Sequence, residues 1–515
     1  MSSHLPEPPR IKTLICLSTH QEVTNLLPIA ASKARRVICL QSAVAHKQNW
    51  VEKLRHAMAL IDPMVEIQTL LLPEALESNP SGMVEHLEKA LKHDLLDAPA
   101  FAWGGGLKIQ SMALWLLFER IAHRHPERNP VALYFELNQG QLLCWLKPDE
   151  APVAIRQAPI LLEPRLASYG FRSIADDTML RLYRRGCDEP AFPDWLPQAF
   201  HLFMHCQDYR RVCFQQAASI SSELGVNMGE RGEPTLDEIL ELLQSLWRKG
   251  LPSQSFESVY KQLYLDKSNR SLFGPNITRP VWPGIRVTNE LRKQLLSTTE
   301  ANLRECLQLT LELPETLEVR KFIFACNPEL SVQSRPKAGQ LFLAPGIKDF
   351  GRLFELLVGY RAYLWMKRHH SGVIEAYSNL KCQAFHSVDI QGEFDLLVLG
   401  ENGAMLSVDA KSFSVESQLR KAQQARFTDV SGVIGKFFFC FPMFKEDIDS
   451  SSINQEGITQ QPQPWFPKSL YNQIQKARKD REARRREALP LVAFDESDAF
   501  EQLLAKIIVR SVATA

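Results

Sequence analysis

Four ionisable residues between positions 393 and 411, namely Glu393, Asp395, Asp409 and Lys411, are the part of the sequence best placed to do chemistry. Gly400-Glu401-Asn402-Gly403 separates two runs of strand-forming residues, 394–399 and 404–411. Its Gly and Asn supply the positive φ that a hairpin loop requires. With the loop centred on Asn402, Asp395 falls across from Asp409 and Glu393 across from Lys411. Side chains alternate faces along a strand, so Asp409 and Lys411 share one. Directly opposed residues have Cβ atoms about 5 Å apart. Two carboxylates so close repel, and in an apolar hairpin one takes up a proton unless a cation sits between them. A hard divalent ion, Mg²⁺ or Mn²⁺, is the natural neutraliser. The bland alternative is a solvated hairpin. Against it, the acids interrupt Leu396-Leu397-Val398-Leu399 and Met405-Leu406-Ser407-Val408, whereas a merely exposed face carries charge at every second position. The geometry depends on register, since a slip of one residue parts the groups onto opposite faces.

Elements able to position these residues flank the hairpin. Residues 349–366 form a helical pattern carrying Glu355; 415–426 read as a polar helix; Gly435–Phe441 is a continuous apolar run, as a buried strand shows. The stretch resembles the PD-(D/E)xK nuclease superfamily, with Asp395 as the first acid and Asp409-Ala410-Lys411 as the (D/E)xK element. The resemblance implies a restriction-endonuclease-like α/β domain in which Asp395, Asp409 and Glu355 hold the metal and Lys411 is the catalytic lysine. The commoner Glu of the second motif is Asp here, and the leading Pro-Asp dipeptide is absent.

At 515 residues the chain has room for two to four domains, each with enough core to fold without staples. Hydrophobic content of 45% and charged content of 23% are ordinary for a soluble protein. The net charge of +1 gives no global pull toward nucleic acid, so such binding must come from local patches. Ten cysteines with no CxxC pair argue for free thiols in a reducing compartment rather than a disulfide framework or structural zinc. The N-terminus lacks an apolar signal core and no 18-residue apolar run occurs, so the expectation is a cytoplasmic protein without a membrane span.

The first 150 residues alternate strand patterns (11–18, 36–41, 65–72, 99–103, 130–137) with amphipathic segments (22–32, 44–60, 82–93, 107–123). Such alternation builds a mostly parallel sheet with helices on both faces. An edge hairpin is expected at 141–147. Ligands of such sheets collect at the strands' carboxyl ends. Those ends here hold Ser18, Thr19, His20 and Gln21, then Ser42, then Trp103-Gly104-Gly105-Gly106-Leu107-Lys108. Three glycines between a strand and a helix form an anion cradle from their N–H groups and the helix N-terminus, with Lys108 adding charge. The alternative is plain turn chemistry. Neither GxGxxG nor a Walker Gly-Lys-Ser/Thr is present, so neither a dinucleotide nor ATP is the first guess.

This arrangement resembles the CARF domain, the CRISPR-associated Rossmann-type sensor of cyclic oligoadenylate, and most of all the subgroup fused to PD-(D/E)xK nucleases. In that subgroup a Thr-Gly-Gly-Thr-Lys-type turn follows the fourth strand; this chain keeps the glycines and lysine but has neither hydroxyl. Ser18, Thr19 and Asn25 occupy the place of the family's polar segment after the first strand, Ser42 that of its serine after the second. Residues 161–170 are similar to its short closing helix. The resemblance implies a cyclic tetra-adenylate or related activator bound across the two-fold axis of a homodimer.

Three regions are therefore expected: a CARF-like Rossmann domain at 1–175, a mostly helical connection at 176–340 and a PD-(D/E)xK nuclease-like domain at 341–515. In the connection, helical patterns occupy 195–224, 234–247 and 288–311, with a loop-like 265–285. His201 and His205, at i and i+4, have a zinc-compatible spacing but read better as a packed helix face. Toward the C-terminus, 445–468 reads as a loop and 500–508 as a docking amphipathic helix. The basic segment 476–487 reads as a self-paired solvated helix, or else as an arm contacting phosphates. The combined expectation is an endonuclease, dependent on Mg²⁺ or Mn²⁺, that cuts DNA or RNA in type III CRISPR defence when a cyclic oligoadenylate binds. Its rivals are a PD-(D/E)xK nuclease of restriction or repair without that activator, and a non-catalytic sensor.

Overall fold

The computed structural model describes residues 5–20, 22–136, 140–176, 178–187, 190–217, 313–332, 336, 341–368, 372–401, 403–411, 417–431 and 435–444, with short pieces at 476, 479, 491–494, 501 and 504–505. The patterns expected at 234–247, 265–285, 288–311 and 445–468 lie outside these residues, as do Gln21, Asn402 and nearly all of 476–487 and 500–508.

The chain forms two mixed α/β layers systems. The first runs β1 (Thr13–Leu17), α1 (Val23–Ser32), β2 (Arg36–Gln41), α2 (Ala43–Lys47), α3 (Trp50–Ile61), β3 (Glu66–Leu71), α4 (Pro80–Ala90), β4 (Pro99–Ala102), α5 (Lys108–Arg124), β5 (Val131–Glu136), β6 (Gln141–Trp145) and β7 (Val153–Ile155). Its strand order is β3-β2-β1-β4-β5-β6-β7, parallel through β5 and antiparallel at β6 and β7. Alternate residues of β1 feed two cores: Leu14 and Cys16 pack with α1 and α3, while Ile15 and Leu17 pack with α4 and α5. A strand buried on both faces reads as an unbroken apolar run, as Leu14-Ile15-Cys16-Leu17 does. The order reverses between β1 and β4, so the crevice beyond their carboxyl ends is the topological switch point.

Next come α6 (Leu162–Ala167), β8 (Phe171–Ile174), β9 (Leu180–Arg184), α7 (Leu196–His205), α8 (Gln207–Ala217) and α9 (Leu317–Cys326). The second system continues with α10 (Phe350–Arg368), β10 (Val373–Ala384), β11 (Ile390–Gly400), β12 (Met405–Ala410), α11 (Ser417–Ser431), β13 (Gly435–Phe441) and β14 (Leu491–Ala493). Its sheet order is β14-β13-β12-β11-β10-β8, with β9 also paired to β10. Helix α10 supplies Leu353, Phe354, Leu357 and Trp365 to its core, beside Phe203, Phe214 and Phe322 from α7, α8 and α9.

The two systems meet earlier than residue 175. Phe171–Ile174 hydrogen-bond to β10, not to the first sheet, and Leu180–Arg184 pair with the other half of β10. Residues at the head of the expected helical connection are thus strands of the second sheet, and α7 to α9 are part of its core. The long strand β10, with its bulges against β11, provides the edge these early strands need. Among the described residues no helix is long and apolar enough to cross a membrane.

Candidate functional site

Ladder pairs Leu396–Val408, Leu397–Ser407, Val398–Leu406 and Leu399–Met405 join β11 to β12. That is the register a loop centred on Asn402 implies, and it carries Asp395 and Asp409 to facing positions at the open end. The ladder gives way there: Asp395 Oδ2 accepts a 2.7 Å hydrogen bond from the Ala410 N–H. Lys411 Nζ lies 2.5 Å from Asp409 Oδ1 and 3.8 Å from Asp395 Oδ2. Asp395 and Asp409 are both buried. Burial, and next the charge of Asp409, raise the Asp395 carboxyl well above the usual carboxylate range. Burial works against the Lys411 ammonium, but Asp395, Asp409 and Glu355 outweigh it and raise its pKa.

Glu355 comes from α10, whose buried stripe fixes its exposed flank against this end of the sheet. Desolvation, followed by repulsion from Asp395, pushes it up to about 7, although Arg352, one turn earlier, donates to it at 3.0 Å. Beside them Lys381 of β10 sits 2.7 Å from Asp176 and 3.8 Å from Glu393. Five carboxylates (Asp176, Glu355, Glu393, Asp395, Asp409) therefore meet three cations (Arg352, Lys381, Lys411). Fully ionised, the cluster lacks two positive charges, the charge of one divalent ion.

The structure brings Asp395, Asp409 and Lys411 into contact and holds Glu355 within electrostatic range, tied to Arg352. Among the described residues, no group of three or more His, Cys, Asp or Glu side chains is gathered so as to hold a metal ion; the cation beside the aspartates is Lys411. The donors nonetheless suit a hard divalent ion, since all are carboxylates and their burial leaves like charge uncompensated. His201 and His205 are exposed with ring centroids 4.8 Å apart. Sequence reasoning expected a packed face there; α7 packs instead through Leu196, Ala199, Leu202 and Phe203.

At the switch point of the first sheet the sequence reasoning passed over Glu22. It is wholly buried and organises the turn after β1. Its Oε1 accepts from Ser18 Oγ and from the Thr19 N–H, both at 3.0 Å, and its Oε2 accepts from Asn25 Nδ2 at 2.8 Å. Burial raises the carboxyl to about 7 despite these bonds. Asn25 is also buried, its amide donating to the Leu17 carbonyl at 2.7 Å. Ser18 and Asn25 thus brace the turn, and Ser42 caps α2 by accepting from the Ala45 N–H at 3.1 Å. Of the expected ligand residues, His20, Gly106 and Lys108 are exposed and Thr19, Ser42 and Gly104 partly so. A short sequence signal for Glu22 exists: a carboxylate four residues after Ser18 at the start of a helix is a hydrogen-bond acceptor for that turn.

Close approach explains the glycines. A Cβ on Gly105 would lie 2.8 Å from the Leu17 carbonyl oxygen and 3.2 Å from Thr19 Cγ2. Gly106 has φ +73° and a Cβ there would lie 2.9 Å from Leu17 Cβ. The N–H groups of Gly104, Gly105 and Gly106 have no hydrogen-bond acceptor among the described residues. Exposed Lys108 opens α5 directly beyond them, so the crevice presents donors and one positive charge to an anion.

No protein-family model and no curated protein matches the chain. Several solved structures are similar, three of them as follows. One is Can2 from Sulfobacillus thermosulfidooxidans in complex with cyclic tetra-adenylate, with TM-score 0.48, 14% identity, and coverage of 96% of this chain and 99% of that one. Protein VC1899 from Vibrio cholerae has TM-score 0.48, 12% identity and coverage of 97% and 98%. A type III CRISPR defence DNA nuclease activated by cyclic oligoadenylate has TM-score 0.37 and 15% identity, covering 85% of this chain and 46% of the other. Residue chemistry, rather than these likenesses, carries the functional conclusion.

Proposed function

We propose that the chain is a two-module effector of type III CRISPR defence: a Rossmann-type sensor of cyclic oligoadenylate, cyclic tetra-adenylate or a relative, controls a Mg²⁺- or Mn²⁺-dependent nuclease. The observation that carries this reading is the facing of Asp395 and Asp409 with the Lys411 ammonium 2.5 Å from Asp409, the acid, acid and lysine of a PD-(D/E)xK hairpin. Asp395, Asp409 and Glu355 are the residues that would hold the ion, which when bound polarises the scissile phosphate and lowers the pKa of an attacking water. Burial and the charge of Asp409 raise the Asp395 carboxyl well above the usual carboxylate range, and a divalent ion held there would offset that repulsion. Lys411, partly exposed and on the same face, stabilises charge on the phosphate oxygens. In the sensor, the glycine amides and Lys108 receive ligand phosphates. A symmetric ring calls for a homodimer with both switch points on one ligand.

The test is incubation of labelled DNA and RNA with Mn²⁺, with and without cyclic tri-, tetra- and hexa-adenylate. Cleavage that needs the metal and is stimulated by one ring size is the expected result. Metal-dependent cleavage indifferent to every ring would instead make the chain a restriction or repair nuclease. Ring binding without cleavage would make it a non-catalytic sensor.

A further inference from the structure

One cation at the open end of the second sheet has no part in the proposed cleavage step. Lys381 of β10 stands directly across from Glu393 of β11. The register of β11 on β12, set by Leu396–Val408 and Leu397–Ser407, places Glu393 across from Lys411 when it is carried on to the open end. Lys381, Glu393 and Lys411 therefore form one row over three neighbouring strands, with Asp395 and Asp409 two residues further along the same face. Neighbouring strands lie about 4.8 Å apart, so the two lysines start about 10 Å from one another. Each has a flexible four-carbon stem ending in a compact point charge, the form in which lysine binds phosphate. A nucleic-acid strand whose scissile phosphate lies at Lys411 thus brings a neighbouring phosphate within reach of Lys381.

In this structure the chain itself occupies that lysine. Lys381 Nζ lies 2.7 Å from Asp176 Oδ2 and 3.8 Å from Glu393 Oε1. Asp176 is fixed through its other oxygen: Oδ1 accepts from the Thr178 N–H at 2.8 Å, the Thr178 hydroxyl at 2.6 Å and the Met179 N–H at 3.1 Å. Oδ2 is thereby left to the lysine. The Lys381 and Asp176 side chains are 21% and 30% exposed, so salt screens the pair less than a surface one. Two carboxylates around one ammonium leave a net negative charge, which repels a phosphate. We propose that Lys381 is a substrate-binding residue for the phosphate next to the scissile one, and that Asp176 competes with the substrate for it. The inference rests on the nuclease reading in one respect, the placing of the scissile phosphate at Lys411. Asp176 follows β8 by two residues. Strand β8 is tied to α6 by the Ser173 hydroxyl, which donates to Glu163, and to β10 by the pairing of Ile174 with Lys381. The competing carboxylate is therefore carried on the segment that joins the two systems.

Fluorescence anisotropy of labelled oligothymidylate and oligouridylate with the full chain, in chelator, without a ring and across a salt series, reads the site directly. Asp176→Asn should bind about tenfold more tightly than wild type, because a like charge beside the phosphate is gone. Lys381→Ala should bind about tenfold more weakly, with a log–log salt slope shallower by about 0.7, the mark of one phosphate contact fewer on a single strand. Lys381→Arg keeps the charge and should keep the slope. In the Lys381→Ala background the gain from Asp176→Asn should shrink to about twofold or less, since no lysine is left to release. The slope belongs to the bound complex and does not depend on how much of a variant is folded. An unchanged slope in Lys381→Ala, unchanged or weaker binding by Asp176→Asn, or an equal gain in both backgrounds would overturn the proposal. Cleavage of the same oligonucleotides by wild type with Mn²⁺ and the rings reports the nuclease reading separately. Intact oligonucleotides with the expected slopes would sink that reading and leave Lys381 as a phosphate site; cleavage in which Lys381→Ala has the wild-type KM would do the reverse.

Discussion

Glu355→Gln tests whether the carboxylates around Asp395 are held together against their own repulsion. Glu355 is raised from 4.5 to about 7, first by desolvation and then by Asp395, and its side chain is only 26% exposed. Between those two values the native protein keeps a proton that the unfolded chain has released. Stability therefore falls as pH rises, by about 1.4 kcal/mol per pH unit, amounting to about 3 kcal/mol by pH 7 and remaining lost above it. Glutamine cannot ionise, so this slope vanishes in the variant. Over this range the Arg352 contact at 3.0 Å is made to a neutral carboxyl in the wild type and a neutral amide in the variant, so it adds little to the difference between the curves. Urea melts in a chelator at pH 4.5, 5.5, 6.5 and 7.5 would read the difference through intrinsic fluorescence; Trp365, buried on the same helix, is one of the reporters. The variant should gain on wild type steadily from pH 4.5 to 7 and then run parallel to it. Adding Mn²⁺ at pH 7.5 should restore more stability to wild type than to the variant. Parallel curves across the whole range would refute the reasoning, because Glu355 would then not feel the site.

Asp409→Ala and Lys411→Ala should each lower metal-dependent cleavage at least a hundredfold while leaving calorimetric binding of cyclic tetra-adenylate unchanged; wild-type cleavage by either would dismiss the hairpin as the site. Gly105→Ala forces a methyl to 2.8 Å from the Leu17 carbonyl, so it should weaken ring binding at least tenfold, and normal affinity would show that β1 and the glycine turn need not touch. Glu22→Gln should remove a pH-dependent destabilisation of the first sheet, since burial raises this carboxyl to about 7 and the native state is penalised as pH climbs from about 4.5; a chelator-independent melt with the wild-type pH slope would contradict it.

Much of the site was legible because hairpin chemistry is local. Two glycines and an asparagine between two continuous apolar runs fix a register, and the register fixes which acids face. The first sheet was legible for a related reason, since β1 and β2 are largely continuous apolar runs and α3 and α4 each carry an apolar stripe. The second sheet was not. Its strand β10 is joined to β11 by residues 385–389, which contain no glycine to mark the turn, and β8 and β9 are too short to stand out alone. Leu180-Arg181-Leu182-Tyr183-Arg184 does alternate apolar and basic residues, the pattern of a half-covered strand, but only pairing to β10, nearly two hundred residues later, makes it one. Glu22 was hidden because an acid in the first turn of a helix is ordinary. What sets it apart is burial, which depends on the packing of α1 against the sheet.

The same late pairing supplies a connection between the two candidate sites. Helix α6 lies between the systems: Leu162 and Leu166 belong to the second core, Ala167 and Tyr169 to the first. Its first amide, Leu162 N–H, donates at 2.7 Å to Glu375 of β10, whose carboxylate also meets Arg184 at 3.4 Å and the Tyr377 hydroxyl at 3.2 Å. Strand β10 is the direct neighbour of β11 and hence of Asp395. On the other side the Lys53 side chain of α3 packs against Gly170 and feels the charge of Glu22. Each step in this chain is a buried or part-buried contact, so displacement at the switch point is resisted by packing rather than absorbed by solvent. One member is unsatisfied. The Arg165 guanidinium, buried on α6 with its carbon 5.7 Å from the Tyr169 ring centroid, has no hydrogen-bond acceptor for any of its three nitrogens among the described residues, and the Tyr169 hydroxyl has no partner either. A buried cation without an acceptor costs several kcal/mol, about what a ligand must supply differentially to move a two-state equilibrium from one side to the other. An arrangement of α6 that gave Arg165 an acceptor would recover that energy, so this junction gives a modest ligand preference internal strain to work with.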